Sequence, residues 1–370
     1  MIPYIDLTNK PSKYFKTVRQ SIDRVLKHGN YIGGQEVYNF ETKMGSYLKN
    51  NKFASVANGT AALFLALKYF NIGPGDEVIT TPLSYLASTS SIALTGAKPV
   101  LCDIDDTLCL DINSVKNSIN KKTKAILLVH LYGNIGSVKE ISKLCKENHI
   151  YLIEDCAQSF GSKISNKMAG TFGDIGCFSF HPLKTLASIG DAGGMTAKKD
   201  KTIEWIKKAR NHGHVDRDHC DFWSHNLRMD AIHAAVLNDI LDTYKSETIF
   251  LRNAQVERYL HNLNEEIISK KIKIPKKNKN VDQVYNMFVI LISNRDKYIK
   301  FMSENAVEVK VHYPYTINNL KAAKGNVKTQ SIKKAINASR EITSLPLGHH
   351  ITDKNIDYIS EKTINFLQRY

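Results

Sequence analysis

The chain has 370 residues, with 51 lysines and arginines against 36 aspartates and glutamates, which gives a formal charge of +15. This length allows one large domain and a smaller one. No segment approaches the ~18 consecutive apolar residues of a membrane helix, and the N-terminus has neither the basic start nor the apolar core of a signal peptide. We therefore expect a cytoplasmic protein with no membrane partner.

The six cysteines are scattered and form no Cys-X-X-Cys pair, which is typical of reduced thiols rather than of a disulfide framework. The charge excess admits two interpretations, nucleic-acid binding or attraction of an anionic small substrate. The densest basic run, at 270–279, lacks arginine and interleaved aromatic residues, and no DNA-reading motif accompanies it. The pattern favours a solvated loop, and we expect no nucleic-acid partner.

Up to about residue 240, short apolar runs alternate with amphipathic stretches, which is typical of an α/β domain with a mostly parallel sheet. The predicted strands are, in chain order, 53–57, 77–81, 98–103, 124–130, 151–155, 174–180 and 193–197. The predicted helices of this part are 61–70, 138–148 and 230–249.

Beyond this point the pattern changes to that of a smaller α+β unit. Strands predicted at 284–292 and 307–312 stand between helices predicted at 248–264, 295–305 and 354–370. The sequence therefore predicts a large α/β domain over residues 1–245 and a small C-terminal α+β domain over residues 246–370.

Two side chains suggest the chemistry of the large domain. Lys184 lies between an apolar strand and a glycine-rich turn, where a desolvated amine can attack an aldehyde. Asp155 ends an apolar run, and a buried acid there needs a cationic partner. Taken singly, each has a plainer interpretation, because most lysines are solvated and the acid could bond to backbone amides. Together they are the pair that a pyridoxal phosphate enzyme requires.

A third feature is the sequence Asn58-Gly59-Thr60, which closes one predicted strand and opens a helix. Backbone N–H groups at a helix N-terminus can hold a phosphate without a cationic side chain. A glycine and a threonine at a helix start are also common as simple caps. By itself this feature therefore leaves both interpretations open.

The order of several short motifs resembles that of the DegT/DnrJ/EryC1/StrS sugar aminotransferase family, over almost the whole chain. The motifs include Asn58-Gly59-Thr60, Gly73-Pro74-Gly75-Asp76, Glu154-Asp155-Cys156-Ala157-Gln158, the segment around Lys184, and Asn226-Leu227-Arg228. The resemblance implies a fold-type I pyridoxal phosphate enzyme, with a large domain built on a mostly parallel sheet flanked by helices and a smaller C-terminal α+β domain.

The resemblance also implies roles for individual residues, with Lys184 and Asp155 as the catalytic pair. Lys184 matches the lysine that bonds to the cofactor, Asp155 the partner of the pyridine nitrogen, Gln158 a neighbour of the ring hydroxyl and Tyr85 the aromatic side chain over the ring. The residues that match phosphate ligands are Gly59, Thr60, Ser179 and Asn226. Family members contribute this asparagine to the partner subunit's site, so the resemblance implies a homodimer with shared active sites.

The implied reaction moves an amino group, with glutamate as the expected donor, to a keto group at C3 or C4 of a nucleotide-linked deoxysugar. The product would serve a surface polysaccharide such as an O-antigen, or a glycosylated metabolite. A dehydratase branch of the family carries histidine in place of the lysine, so Lys184 favours transamination. A sugar dehydratase, a transaminase of another substrate and a DNA-binding regulator remain the alternatives.

Two further observations bear on the site. Thr185 stands where many members have asparagine, and Phe160 stands where smaller or imidazole side chains are frequent. Four histidines and a cysteine crowd one stretch, but their spacing fits no compact zinc pattern, so we predict no metal and a loop that leads to Asn226. These residues are His212, His214, His219, Cys220 and His225.

Overall fold

The computed structural model describes residues 1–49 and 52–370. Its strands are β1 (Lys52–Val56), β2 (Glu77–Thr80), β3 (Lys98–Leu101), β4 (Thr123–Val129), β5 (Tyr151–Asp155), β6 (Lys163–Ile164), β7 (Lys167–Met168), β8 (Ile175–Ser179), β9 (Gly193–Ala197), β10 (Ile272–Lys273), β11 (Val281–Asp282), β12 (Phe288–Ile292), β13 (Lys328–Thr329) and β14 (Ile342–Leu345). Each of the seven strands predicted before residue 240 is present, with its ends shifted by two residues at most.

The α-helices lie between these strands and at both ends of the chain. They are α1 (Ser12–His28), α2 (Gly34–Tyr47), α3 (Gly59–Tyr69), α4 (Ala87–Leu94), α5 (Ile112–Lys116), α6 (Val138–Glu147), α7 (Asp200–Ala209), α8 (Ala231–Thr243), α9 (Phe250–Asn262), α10 (Asn264–Ile268), α11 (Arg295–Glu304), α12 (Lys333–Glu341) and α13 (Asp353–Arg369). No helix in the described ranges combines the length and the apolar character needed to span a membrane.

An eight-stranded sheet in the order β1-β9-β8-β5-β4-β2-β3-β13 forms the centre of the large domain. Strand β9 is antiparallel to both neighbours, and the other pairs are parallel. Successive residues of β4 enter opposite cores, since Ile126 and Leu128 pack in one apolar cluster and Ala125 and Leu127 in another. Both faces of the sheet are covered, which explains the continuous apolar runs and confirms the predicted fold class.

The C-terminal part has its own core, which includes Tyr259, Phe288 and Phe366. Strands β10, β12 and β14 form an antiparallel sheet there. Helix α8 continues through a π-helical turn at Tyr244–Ile249 into α9, so the predicted boundary at residue 245 lies within unbroken helix. Strand β13 also pairs with β3 of the large sheet. The division at residue 245 stays a prediction.

Two predicted strands of the C-terminal part need correction. Residues 307–312 form no strand; Val307 and Lys310 make single bridges to Ile2 and to Ser344, so the segment divides its pairing between two partners. The strand predicted at 284–292 starts only at Phe288. Strand β14, with four buried residues, and the helices α1 and α2 were not predicted.

Candidate active site

The predicted site residues follow the carboxyl ends of neighbouring strands. Strand β5 ends at Asp155 and β8 ends at Ser179, while Tyr85 follows β2 and Gly59 follows β1 at the start of α3. These strands run in the same direction, so their carboxyl ends meet at one edge of the sheet. This edge is where open α/β sheets bind their ligands.

Asp155 and Lys184 influence each other's ionisation. Burial raises the pKa of Asp155, and the Ala157 N–H, 3.0 Å from Oδ1, together with the positive charge of Lys184, opposes this rise. Burial lowers the pKa of Lys184, and the charge of Asp155 opposes that shift. Desolvation thus acts on both groups, and each stabilises the charged form of the other. The predicted acid and amine therefore lie close enough to interact electrostatically.

The neighbouring acid, Glu154, binds the backbone of a nearby turn and makes no contact with Lys184 among the hydrogen bonds of the described residues. Both of its carboxylate oxygens accept bonds from backbone N–H groups of residues 170–173, at 2.6–2.9 Å. One oxygen also lies 2.9 Å from His130 Nε2, and both side chains are fully buried. The possible metal-ligand atoms of His130, Glu154 and Cys156 lie within 4.8 Å of one another. Because the Glu154 oxygens are already engaged by the backbone, we interpret this cluster as a structural clamp on the 170–173 turn.

Gln158 is held at both ends of its amide. The Tyr132 N–H donates to Oε1 at 2.7 Å, and Nε2 donates to the Tyr313 hydroxyl at 2.7 Å. The two tyrosine rings stack with centroids 6.1 Å apart. Their backbones have φ of 57° and 67°, values that bulky side chains rarely adopt and that often occur at functional sites. Gln158 therefore has a fixed orientation at the end of β5.

His312, next to Tyr313, is a further site residue that the sequence analysis did not identify. Its Nδ1 lies 2.9 Å from Ser344 Oγ. Burial, together with the charges of Lys184 and Lys310, lowers the pKa of His312 to about 4, so the imidazole is neutral at neutral pH. The only available signal was the polar sequence His312-Tyr313 at the end of a predicted strand.

Gly59 and Ser179, two of the predicted phosphate ligands, lie close together. Asn58 caps α3, since its Oδ1 accepts the Ala61 N–H at 2.9 Å. A Cβ added to Gly59 would lie 2.9 Å from the Ser179 Cβ. Glycine is therefore needed for this close approach, and the first turn of an eleven-residue helix faces the serine.

We expect Gly59→Ala to weaken retention of pyridoxal phosphate by roughly 1–3 kcal/mol, because the new methyl group must push Ser179 away from the helix start. Gly73→Ala is the matched control, since its Cβ would meet the nearest atom, Thr95 O, at an ordinary 3.6 Å. Equilibrium titration with the cofactor, followed by absorbance, checks this. Equal affinity in the two variants would contradict the assignment of Gly59.

Three predicted cofactor residues are exposed. Tyr85 has 59 % of its surface accessible, and the side chain of Thr60 is open to solvent. Asn226 is exposed as well, and its Oδ1 accepts a bond from Arg228 Nε at 3.0 Å. The Ala57 N–H donates to Leu227 O at 2.7 Å, which keeps Asn226 near the turn before α3. No hydrogen bond within the described ranges joins Asn226 to Asp155 or Lys184.

The two positions that depart from the family pattern are connected to each other. The Thr185 hydroxyl lies 2.7 Å from the Tyr244 hydroxyl, which donates to Phe160 O at 2.8 Å. The Phe160 ring packs against Phe178 and Phe180. Thr185 and Phe160 thus connect the Lys184 loop to the start of the π-helical turn and to the aromatic core.

These residues fit pyridoxal phosphate. A buried carboxylate interacts with a desolvated lysine amine, a tightly packed helix start can take the phosphate, and an exposed aromatic ring stands after β2. Lys184 would hold the aldehyde carbon, Asp155 the ring nitrogen, and Gly59 with Ser179 the phosphate. The donor set matches each part of the cofactor with a group of suitable charge.

Comparison with known proteins tests the predicted family. Residues 14–363 match the model of the DegT/DnrJ/EryC1/StrS aminotransferase family. The UDP-2-acetamido-2-deoxy-3-oxo-D-glucuronate aminotransferase of Pseudomonas aeruginosa is 32 % identical, over 99 % of this chain and 100 % of the relative. A pleiotropic regulatory protein of Geobacillus stearothermophilus is 29 % identical, over 100 % of this chain and 99 % of the relative.

Among solved structures, S. venezuelae DesV in complex with a ketimine intermediate superposes with a TM-score of 0.95. It is 28 % identical, and the match covers 100 % of this chain and 99 % of DesV. The predicted enzyme class, a pyridoxal-phosphate-dependent sugar aminotransferase, is confirmed at the level of the family. The chain belongs to the DegT/DnrJ/EryC1/StrS aminotransferase family.

Proposed function

We propose that the protein transfers an amino group from glutamate to the C3 keto group of a nucleotide-linked deoxysugar. The observation that carries the proposal is the electrostatic interaction of Asp155 with Lys184, in which each group supports the charged form of the other. The choice of C3 over C4 follows the P. aeruginosa relative, which is named for a 3-oxo sugar. The product would enter a surface polysaccharide such as an O-antigen, or a glycosylated metabolite.

Each residue of the site has a task in this reaction. When bound, pyridoxal phosphate supplies an electron sink for the carbon that gains or loses nitrogen. Asp155 holds a proton on the ring nitrogen, which keeps that sink effective. The Lys184 amine would hold the aldehyde carbon of the cofactor and, when free, would move a proton to or from the reacting carbon. The Tyr85 ring would pack on one face of the cofactor and restrict the orientation of the reacting groups.

The proposal is tested by incubating the purified protein with glutamate and a panel of nucleotide keto-sugars, with products read by mass spectrometry and NMR. Stoichiometric formation of an amino sugar and 2-oxoglutarate is expected. Release of ammonia without an aminated sugar would instead identify a sugar dehydratase. An NMR shift at C4 rather than C3 would correct the position of amination.

We also propose that the protein acts in the cytoplasm as a homodimer with shared active sites. All six cysteines are free, as expected for a reducing compartment. Exposed apolar side chains stand next to predicted site residues in the chain, since Leu86 follows Tyr85 and is 49 % exposed, and Leu183 precedes Lys184 and is 44 % exposed. Trp223 is 96 % exposed close to Asn226. Large apolar side chains with this much exposed surface are often found at protein interfaces.

We expect mixed dimers of Lys184→Ala and Asn226→Ala to recover activity that neither variant has alone. One site of each mixed dimer would then contain both residues, so random mixing should restore about a quarter of the unmodified activity. Light scattering on each variant checks that dimers form. Mixed dimers that stay inactive would show that Asn226 serves the site of its own chain.

The net charge of +15 raises a second candidate function, DNA-binding regulation, and one relative is named a pleiotropic regulatory protein. A gel shift with purified protein tests it. Salt-dependent binding that also selects one DNA sequence would support regulation. Weak binding without sequence preference is the expected result for a chain with a charge of +15.

A further inference from the structure

A basic chamber borders the candidate active site on the side of Lys184. Its walls are the N-terminal segment 5–11, the loop that carries Lys184, the helical run around Arg252, and the C-terminal segment 347–350. We define the basic chamber by its cationic and imidazole lining, which is Lys10, Lys184, Arg252, His349 and His350.

Two of these cations have no acidic partner. Within residues 1–49 and 52–370, no carboxylate oxygen lies within 4.0 Å of Lys10 Nζ or of the Arg252 guanidinium. Lys10 Nζ instead lies 4.0 Å from the centroid of the Tyr14 ring. Arg252 Nη1 donates to the carbonyl oxygens of Tyr285 and Asn286, at 3.1 and 3.2 Å. The rest of the guanidinium is available to a ligand.

The acids that line the same space are engaged elsewhere. Asp6 Oδ1 accepts bonds from the Thr8 N–H and hydroxyl, at 2.9 and 2.6 Å. Glu247 pairs with Lys13 at 3.1 Å. Neither carboxylate neutralises the pair formed by Lys10 and Arg252, so the basic chamber has an excess of positive charge.

This arrangement is unfavourable without an anion. Burial, together with the nearby Arg252 charge, lowers the pKa of Lys10 to about 8. Burial also lowers the pKa of Arg252. Two neighbouring cations in a poorly hydrated space destabilise each other's charged form, and a bound oxyanion reverses that effect.

Gly348 keeps room for such a ligand. Its φ of 142° lies in the region that favours glycine, and both its N–H and its carbonyl are fixed by Gln255, at 3.0 and 2.8 Å. A Cβ at this position would lie 3.4 Å from His350 Nδ1 and 3.8 Å from Arg252 Nη2. Any larger residue would therefore fill space beside the guanidinium.

We propose that the basic chamber binds a carboxylate of the amino donor, with Lys10 and Arg252 as its ligands, so that the donor's amine is placed at Lys184. This proposal rests on the proposed function, because it assigns the donor's position within that site. An α-amino acid carries its carboxylate on the same carbon as its amine, which suits cations that share a chamber with Lys184. The phosphates of a sugar nucleotide are attached at C1, several bonds from the keto carbon, so they fit such close spacing poorly.

The test measures ligand binding to the pyridoxal phosphate-loaded protein by calorimetry, with glutarate and uridine diphosphate as probes. Glutarate carries carboxylates but no amine, so it binds without reacting. We expect Lys10→Gln to weaken glutarate binding about tenfold or more, since a hydrogen bond between charged groups is lost. The affinity for uridine diphosphate should not change. In turnover, the KM for glutamate should rise while the KM for the keto-sugar stays constant.

Lys16→Gln is the matched control, because Lys16 is exposed on α1 and its replacement makes the same change in net charge. Its glutarate affinity should stay within about twofold of that of the unmodified protein. Lys10 is preferred over Arg252 for the test because Arg252 also holds two backbone carbonyls. Undiminished glutarate binding by Lys10→Gln, no glutarate binding by the unmodified protein, or a selective loss of uridine diphosphate binding would each overturn the proposal.

Proton uptake on glutarate binding is a second measurement. It distinguishes a lysine that binds the carboxylate from a lysine that only supports the fold. A bound carboxylate raises the pKa of Lys10, so glutarate binding at pH 8 should take up protons, detected as a dependence of the heat on the buffer. The charged and titratable groups that line the basic chamber with Lys10 are Asp6, Tyr14, Lys184, Tyr244, Glu247, Arg252, His349 and His350. The uptake should disappear in Lys10→Gln, and uptake that persists there would assign it to one of these groups. Because binding is measured without turnover, a failure to aminate any sugar would overturn the proposed function alone.

Discussion

Replacing Lys184 with alanine is expected to lower turnover by roughly 10⁴-fold or more, since one side chain supplies both the bond to the cofactor and the proton transfer. Borohydride treatment of the unmodified protein should fix the cofactor covalently to the peptide that contains Lys184. The fold should persist, because burial lowers the pKa of this lysine and its removal relieves a desolvated charge.

Two controls separate chemistry from charge. Lys184→Arg keeps a cation in the pocket but cannot form the bond, so it should be as inactive as the alanine variant. Lys198→Ala removes an exposed lysine of the same domain and should leave turnover unchanged. A borohydride adduct on another lysine, or residual turnover in Lys184→Arg close to that of the unmodified protein, would remove Lys184 from the mechanism.

Asp155→Asn is expected to lower turnover by about 10²–10³-fold, since a neutral amide cannot hold the proton on the ring nitrogen by charge. The melting temperature without cofactor should stay constant or rise. The reason is that burial raises the pKa of Asp155 above its ordinary value, so its carboxylate at neutral pH destabilises the fold. The amide oxygen still accepts the Ala157 N–H.

Glu154, next to Asp155, should give the opposite result, a loss of stability without a loss of cofactor chemistry, and serves as the matched control. Glu154→Gln should reduce the free energy of unfolding by about 3 kcal/mol, because a charged acceptor of several buried N–H groups is lost. The Glu154→Gln molecules that remain folded should react with the cofactor as the unmodified protein does. Calorimetry and single-turnover kinetics on both variants check this. A loss of stability in Asp155→Asn equal to that in Glu154→Gln would make Asp155 a structural residue.

Local patterns predicted the parts of the fold that are locally determined. The strands before residue 240 are buried on both faces, so each appears as a short apolar run, as in β4 and β5. Asp155 could be selected because it ends such a run, and Gly59 because it follows one after a short turn. In contrast, the alternation of apolar and polar residues at 307–312 is typical of a strand, yet the segment forms only single bridges to Ile2 and Ser344. No local pattern can indicate these distant partners.

The remaining site residues depend on contacts between distant segments. Gln158 meets Tyr313 across 155 positions of the chain, and neither residue carries a pattern that names the other. Lys10 and Arg252 likewise become neighbours only when the N-terminal segment packs against the helical run after residue 249. Sequence reasoning identified the residues that the family motifs contain, and tertiary packing supplied those that fix the orientation of Gln158 and line the basic chamber.

The pairing of β13 with β3 limits how the chain can be divided. A protein made of residues 1–245 alone would lack Lys328–Thr329. The backbone N–H and C=O groups of β3 that pair with these residues would then be exposed. An unpaired outer strand of a sheet can form hydrogen bonds with strands of other molecules, which leads to aggregation. A truncated product is thus expected to precipitate, while the intact polypeptide shields that border with its own distal segment.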